Sequence, residues 1–346
     1  MIREITAVLV AWNDGEDLRE ALCALEAARR RIPAGGVRVG AVVVDNGGGG
    51  VSAAELETLV PGARLVVNPS NRGFGPAANQ GAAAAAGDAL LFLNPDTRAE
   101  GEPFTPIARA LDEGGVVAAA PMLVDAESPG DSSPSPSPSP APIRLAPPGA
   151  EDQATFQLRR LPTLASDARE LLLVDHVWPN NPWRRRARYA DSARSRAFDA
   201  EQAAAAALAV RRDAFERVGG FDERFVPAWY EDVDLCLRLA RDGRIVYLPE
   251  ARFRHAGGRA AATLGYPLFL PIFYGNALRY RGRHYGPGAR VLYRALLAAG
   301  MLLRLAALPL RRSVPRSRRD AALAYLRVLA IALGAPKPAF RIPPAA

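Results

Sequence analysis

The chain has 346 residues, 49% of them hydrophobic and 23% charged, which suits one large domain with an extension or two domains. Its net charge of +8 is uneven: residues 281–346 hold thirteen Lys or Arg against one acid, Asp320, so the basic tail implies a partner of its own. The two cysteines, Cys23 and Cys236, exclude a disulfide framework and a cysteine zinc site, and both read as reduced core residues.

The N-terminus enters an apolar run almost at once, with no basic segment ahead of it, which predicts a cytoplasmic protein. Ile5 to Ala11 is a buried strand that stops at Trp12-Asn13-Asp14. Leu18, Leu22 and Leu25 then recur at helical spacing. Val39 to Val44 is a second strand and stops at Asp45-Asn46. Four glycines follow, then a helix around Ala53 to Leu59 and a strand at Arg64 to Val67. Asn71 to Gly81 is rich in Gly and Asn. It brings backbone amides together near a helix start, which suits an anionic or sugar group, and Ala82 to Ala86 extends it as helix. No Gly-Lys-Ser/Thr follows, so it is not a P-loop. Ala89 to Leu93 is a third strand, ending at Asn94-Pro95-Asp96. Strand and helix alternate through short links, so the fold class is α/β, a mostly parallel sheet flanked by helices. Ligands bind such sheets beyond the carboxyl ends of the strands, where Asn13, Asp45 and Asp96 fall.

Residues 127–150 alternate Ser and Pro and predict a flexible, solvated insertion. Residues 151–200 read as irregular loops and short helices, and Ala203 to Val210 as a strand despite its alanines. Five carboxylates then fall within thirteen residues: Asp222, Glu223, Glu231, Asp232 and Asp234. Val233, Leu237 and Ala240 recur at helical spacing and Asp234 can pair with Arg238 at i,i+4. Glu231 and Asp232 therefore occupy a first helical turn, where the helix dipole favours negative charge. The preceding Pro227-Ala228-Trp229-Tyr230 offers an aromatic floor for a sugar ring, and a carboxylate beside it can act as a general base. Taken alone, the same residues also describe an acidic helix start beside a packed turn. Arg244 to Leu248 is a further strand, followed by His255, a metal ligand or a structural histidine.

From Tyr266 onward, Val291 to Leu310 and Ala321 to Leu333 are Leu/Ala-rich helices carrying Arg294, Arg304 and Arg327. The first approaches the length of a membrane span, but Arg304 within it and Pro309 at its end oppose that. Basic amphipathic helices on an anionic membrane surface, over residues 281–341, fit better, at about 1 kcal/mol per surface Lys or Arg. A helix pair packed on the domain is the alternative. No nucleic-acid motif accompanies these arginines, and nucleic acid is not expected as a partner. The boundaries follow as a domain over 1–265 and a helical extension over 266–346.

Five motifs in order resemble the family 2 glycosyltransferases of the GT-A fold, most closely their rhamnosyltransferase-like branch, over about residues 3–285. They are Val44-Asp45-Asn46, Asn71-x-Gly73-Phe74-Gly75 with Asn79-x-Gly81, Leu93-Asn94-Pro95-Asp96-Thr97, Gly219-Gly220-Phe221-Asp222-Glu223 and Glu231-Asp232-Val233-Asp234-Leu235. The resemblance implies that Asp45 binds the pyrimidine of a nucleotide-sugar and Asn13 lines its ribose, with Asn71, Gly73, Asn79 and Asn94 also on the donor side. Asp96 stands where the family's metal-binding Asp-x-Asp motif ends, Asn94 replacing its first Asp, so Mg²⁺ or Mn²⁺ would sit on Asp96 and His255. Asp232 would be the catalytic base, assisted by Glu231, with Asp222, Trp229, Tyr230 and Asp234 on the acceptor side.

The implied activity is inverting transfer of a sugar, rhamnose from dTDP-rhamnose, to a lipid-linked or polysaccharide acceptor in cell-envelope glycan synthesis. It would take place at the inner face of the cell membrane. A UDP-hexose or UDP-galactofuranose donor is the alternative within that reading. A nucleotidyltransferase would need a basic Gly-rich loop that residues 10–20 lack. A non-catalytic, membrane-bound sugar-binding protein is the rival from another class.

Overall fold

The computed structural model describes residues 1–125, 157–257, 264–310 and 317–337. The Ser-Pro insertion expected at 127–150 lies outside the described residues.

Alternation of small and branched apolar residues builds the sheet. Its strands are β1 (Glu4–Ala11), β2 (Arg38–Asp45), β3 (Arg64–Val67), β4 (Ala89–Leu93), β5 (Thr97–Glu100) and β6 (Val116–Asp125), then β8 (Phe198–Ala200), β10 (Ala207–Arg211) and β11 (Arg244–His255). Between them in the chain, β7 (Leu158–Arg159) and β9 (Gln202–Ala203) form a separate antiparallel pair. The order across the main sheet is β3-β2-β1-β4-β10-β6-β11-β5, with β8 also on β11. The strands β3, β2, β1 and β4 run parallel, as do β6 and β11, and β10 enters antiparallel between the two sets.

Twelve helices cover the described residues: α1 (Gly15–Arg29), α2 (Ala53–Leu59), α3 (Phe74–Ala84), α4 (Phe104–Asp112), α5 (Leu164–Leu171), α6 (Val174–Val177), α7 (Pro182–Ala187), α8 (Arg212–Arg217), α9 (Glu231–Leu239), α10 (Tyr266–His284), α11 (Gly286–Ala307) and α12 (Arg318–Ala332). Successive strand residues face opposite ways. Ile5, Ala7 and Leu9 therefore join α1, α2 and α4 in one core, while Val8 and Val10 join α3, α8 and α9 in the other. Cys236 is buried in the second core, as expected. Cys23 is exposed, a correction: it lies one position off the Leu18-Leu22-Leu25 stripe and so turns outward on α1.

The sheet leaves almost no room under α3. A Cβ at Gly81 would stand 2.4 Å from Val8 Cγ1 and 3.1 Å from Val44 Cγ2. Replacing Gly81 by Ala is expected to destabilise the fold by about 1–3 kcal/mol through overpacking, even though Ala is the better helix former. Urea unfolding should show a lower midpoint at an unchanged slope. A raised midpoint would mean that α3 has slack.

The expected strand at Ala203 to Val210 is split. Gln202–Ala203 pairs with β7, Ala207–Arg211 enters the main sheet, and residues 204–206 form a turn between them. Alanines there admit close neighbours, and the site makes use of them.

The C-terminal helices form a third core together with Leu171, Phe225, Tyr230 and Val233. Their arginines bind the fold. Arg304, nearly fully buried, donates to the carbonyls of Glu170 (2.9 Å) and Leu171 (2.5 Å), countering the negative end of α5. Arg294 donates to the Ala332 carbonyl at 2.8 Å and Arg327 to that of Pro267 at 3.0 Å. Val291, Leu292, Leu302 and Leu303 of α11 remain exposed. By length and composition alone, Gly286–Leu310, with mean hydropathy 1.7, would suffice to cross a membrane.

Candidate active site

Because β1, β2 and β4 are parallel, their carboxyl ends deliver Asn13, Asp45 and Asn94-Pro95-Asp96 to one edge of the sheet. Asp45 is buried, and its two oxygens accept from the N–H groups of Gly48 (2.9 Å) and Gly50 (3.1 Å). The glycine run thus wraps the carboxylate and holds it still, and lone pairs remain for another donor. Gly48 has to be small, since a Cβ there would lie 2.5 Å from the Asn13 nitrogen.

An amide network extends this edge. Asn46 donates to the Asn71 side chain (2.9 Å) and the Gly73 carbonyl (3.2 Å), and its oxygen accepts from Asn68 (3.1 Å) and the Arg72 N–H (3.0 Å). Asn68 and Gln80 exchange two further bonds. Asn46, Asn68 and Gln80 were not among the expected site residues; polar side chains clustered around a glycine-rich loop were the available signal. Asn79 has another task than lining the donor side. It accepts from the Phe221 N–H (2.9 Å) and donates to the Phe221 carbonyl (2.9 Å) and to Glu223 (3.1 Å), bracing the Gly-Gly-Phe-Asp-Glu turn.

Antiparallel pairing places His255 opposite Thr97, which brings the imidazole to Asp96. Asp96 Oδ1 lies 3.3 Å from His255 Nε2, Asn94 Nδ2 lies 3.4 Å from the same nitrogen, and Asp96 Oδ2 accepts from the Gly257 N–H at 3.0 Å. Burial pushes the Asp96 carboxyl up, but the hydrogen bond and charge of His255, with the N–H groups, outweigh it and hold it below its ordinary value. The group is therefore an anion at neutral pH. An ionised carboxylate and an imidazole this close suit two neighbouring positions around a divalent ion. Among the described residues no cluster of three or more His, Cys, Asp or Glu side chains could hold a metal alone. The pair fits an ion whose other ligands are diphosphate oxygens and water.

The acidic helix is set by a constrained loop. Trp229 and Tyr230 sit at φ 73° and 75°, a region costing about 1–3 kcal/mol for side-chain-bearing residues. Fully buried Asn276 of α10 holds them there, donating to the carbonyls of Ala228 and Trp229 at 2.9 Å each. Lys337 donates to the Val226 carbonyl (2.5 Å) and to Asn276 Oδ1 (2.7 Å). Phe74 N–H donates to the Pro227 carbonyl at 2.7 Å, and a Cβ on Gly73 would lie 2.9 Å from that oxygen, so the Gly73 loop touches the acidic one.

Three expected acceptor residues are placed otherwise. Asp234 is fully buried, bonded to Arg238 (2.6 Å) and His284 (2.6 Å) and within 3.3 Å of Arg283; it anchors α9 to α10 instead of facing an acceptor. Tyr230 packs on Phe273 and Tyr280 inside the third core and so is no sugar floor. Asp222 is consumed by Arg224 (2.7 Å) and Arg283 (2.5 Å). Trp229 stacks edge-on against Phe269 and stays partly exposed.

The two halves meet at the alanine break. Asn94 N–H and Thr97 Oγ1 both donate to the Ala206 carbonyl, at 3.1 and 3.2 Å. The Asp232 carboxylate accepts from the backbone N–H of Ala205, one residue earlier, and from Val233 N–H at 2.7 Å. Consecutive residues are about 3.8 Å apart, so the Asp96 turn and the Asp232 carboxylate are pinned to one short stretch of chain. Half-buried Asp232 and buried Glu231 are neighbouring carboxyls on the first turn of α9. Burial, then the charge of Asp232, pushes Glu231 well above its ordinary value; burial also raises Asp232, against the N–H groups of Val233 and Ala205 and the charge of Arg159.

A pH dependence follows. As the catalytic base, Asp232 would have to be ionised to accept a proton, so kcat/KM is expected to fall as pH drops through a limb lying above the usual carboxylate range. Glu231→Gln should leave that limb in place, because Glu231 still holds its proton while Asp232 titrates. A limb shifted downward in pH–rate profiles would mean that Glu231 is charged first and would contradict this order. For stability the sign is opposite to that of Asp96. The folded state keeps a proton on Glu231 that the unfolded chain releases, so this residue costs stability as pH rises above the ordinary glutamate range.

The chain is similar to several known proteins. Residues 6–169 match the family model described as glycosyl transferase family 2. The N-acetylglucosaminyl-diphospho-decaprenol L-rhamnosyltransferase of Mycobacterium tuberculosis is 30% identical over 266 residues, covering 72% of this chain and 75% of that protein. Among solved structures, a mannosyltransferase of Pyrobaculum calidifontis in complex with GDP-Man and Mn²⁺ superposes with a TM-score of 0.52 at 15% identity, covering 96% of this chain and 86% of that one. GalNAc-T7 with UDP, GalNAc and Mn²⁺ superposes at 0.55 and 12% identity, over 86% of this chain and 51% of that structure.

Proposed function

Because this chain belongs to glycosyl transferase family 2 and has the GT-A architecture, we propose that it is an inverting, metal-dependent transferase of rhamnose from dTDP-rhamnose to a lipid-linked N-acetylglucosaminyl diphosphate. The observation that carries this reading is the pinning of the Asp96 turn and the Asp232 carboxylate to adjacent alanines, on a chain 30% identical to an N-acetylglucosaminyl-diphospho-decaprenol L-rhamnosyltransferase.

Asp45 and the Asn71 loop bind the nucleotide and orient its sugar. Asp232 takes the proton of the acceptor hydroxyl as that oxygen attacks the anomeric carbon; the bond to the diphosphate breaks and the electron pair leaves with it. A divalent cation on Asp96 and His255 would supply positive charge for the departing diphosphate. Base and leaving group on opposite sides of the anomeric carbon make a single displacement, hence inversion. The protein works at the cytoplasmic face of the membrane, with the exposed apolar side of α11 toward the bilayer.

Incubating the full chain with a short-chain lipid diphosphate N-acetylglucosamine, Mn²⁺ and, separately, dTDP-rhamnose, a UDP-hexose or UDP-galactofuranose tests this. Acceptor-dependent release of dTDP from dTDP-rhamnose is expected. Release from a UDP-sugar instead would replace the donor, and no release from any would sink the reading.

A further inference from the structure

A cavity of about 460 Å³ opens where α10, α11 and the chain after α12 meet the turn at Arg224. Its lining carries six cations and no acid: Arg224, Arg279, Arg283, Arg290, Arg294 and Lys337. Arg224 and Arg283 are neutralised by Asp222, with Asp234 also beside Arg283. Among the described residues the other four have no carboxylate partner. Arg294 and Lys337 spend their donors on neutral oxygens. Arg279 and Arg290 stand exposed. Burial, and then the charge of Arg279, push the Lys337 amine down to about 8.

Such crowding is unfavourable unless an anion enters, and arginines in convergent geometry suit phosphate oxygens. The surroundings narrow the choice. Val291 and Leu292 follow Arg290 on α11, and Leu333 adjoins Gly334 of the lining; all three are exposed. The ligand is therefore a multiply charged anion joined to an apolar tail. The cavity also adjoins the loop that leads into the acidic helix: Lys337 holds the Val226 carbonyl that precedes Pro227, and Arg224 lies two residues before Val226. The nucleotide's diphosphate belongs elsewhere, at the strand ends beside Asp96.

We propose that this cavity binds the diphosphate of a lipid-linked acceptor, with Arg279 and Arg290 as its main ligands and the exposed apolar residues of α11 along the lipid. The assignment deepens the transferase reading and rests on it for the identity of the sugar, but binding can be read without transfer.

The test measures binding of farnesyl diphosphate to the full chain by calorimetry, for wild type and for Arg279→Gln/Arg290→Gln, alongside phosphatidylglycerol vesicles and dTDP. Both side chains are exposed, so the variant should melt like wild type, and Arg290→Gln alone should give part of the effect. Wild type is expected to bind farnesyl diphosphate, and the double variant about tenfold or more weakly, with vesicle and dTDP binding unchanged. Equal affinity in the variant would overturn the site. So would a matching loss of vesicle binding, which would make the cluster a general reader of bilayer headgroups. Failure of sugar transfer with binding intact would remove the function proposed above and leave the cavity standing.

Discussion

Asp232→Asn is expected to lower sugar transfer by about three orders of magnitude while leaving dTDP binding within about twofold of wild type. A positioned general base contributes roughly 10²–10⁴ in rate, and an amide cannot take the proton. The isosteric change keeps one oxygen for the N–H groups of Ala205 and Val233, so the loop and α9 should stay in place. The proposed donor residues lie across the alanine break, so donor binding is not expected to use this side chain. Initial rates and a dTDP titration read the two quantities separately. Normal turnover in the variant would give the base role to another group, Glu231 being the nearest.

The second large effect is at Asp96. Asp96→Asn removes the negative charge that His255 and the Gly257 N–H hold in its ionised form. Mn²⁺-dependent donor affinity should fall by about a hundredfold, a loss typical of weakened metal sites. A thermal-shift titration of dTDP with and without Mn²⁺ checks this without any turnover, because a ligand bound only to the folded state raises its melting temperature. Wild type should gain stability from Mn²⁺ in the presence of dTDP, and the variant should not. An equal gain in both would place the cation on other residues.

Much of this site could be read in the chain because its signals are local. Strand ends punctuated by Asn13, Asp45 and Asp96 became neighbours because parallel strands end on one side, and the first-turn position of Glu231 and Asp232 followed from helical spacing. The residues that escaped are those whose roles depend on contacts across the fold. The family resemblance puts Asp234 on the acceptor side; its pair with Arg238 is visible at i,i+4, but His284, fifty residues later, is what seals it in the interior. Tyr230 turned inward because α10 supplies Phe273 and Tyr280, and an aromatic residue before a helix does not reveal which way its loop runs. Asn276 clamps that loop from the middle of an apolar helix, a pattern that also fits a surface amide. Ala204 to Ala206 read as strand because alanine carries no turn signal of its own; their value to the site is their small size.

The C-terminal helices illustrate the same limit. Their arginines, read as a surface for lipid headgroups, divide by partner. Arg294, Arg304 and Arg327 bond to carbonyls of the fold, Arg281 and Arg283 pair with carboxylates, and Arg290, with Arg279 before it, has no carboxylate partner among the described residues. Charge counting along the chain gives the total and cannot make that division.

The central claim is that one cleft presents Asp96 and Asp232 to the same sugar. A crystal structure of the Asp232→Asn protein with dTDP and Mn²⁺ tests it most directly, since manganese is located by its anomalous signal. The signal should lie on Asp96 beside the diphosphate, with the side chain at 232 facing the open space beyond it. Manganese held away from Asp96, or a side chain at 232 turned from the diphosphate behind other residues, would contradict the account.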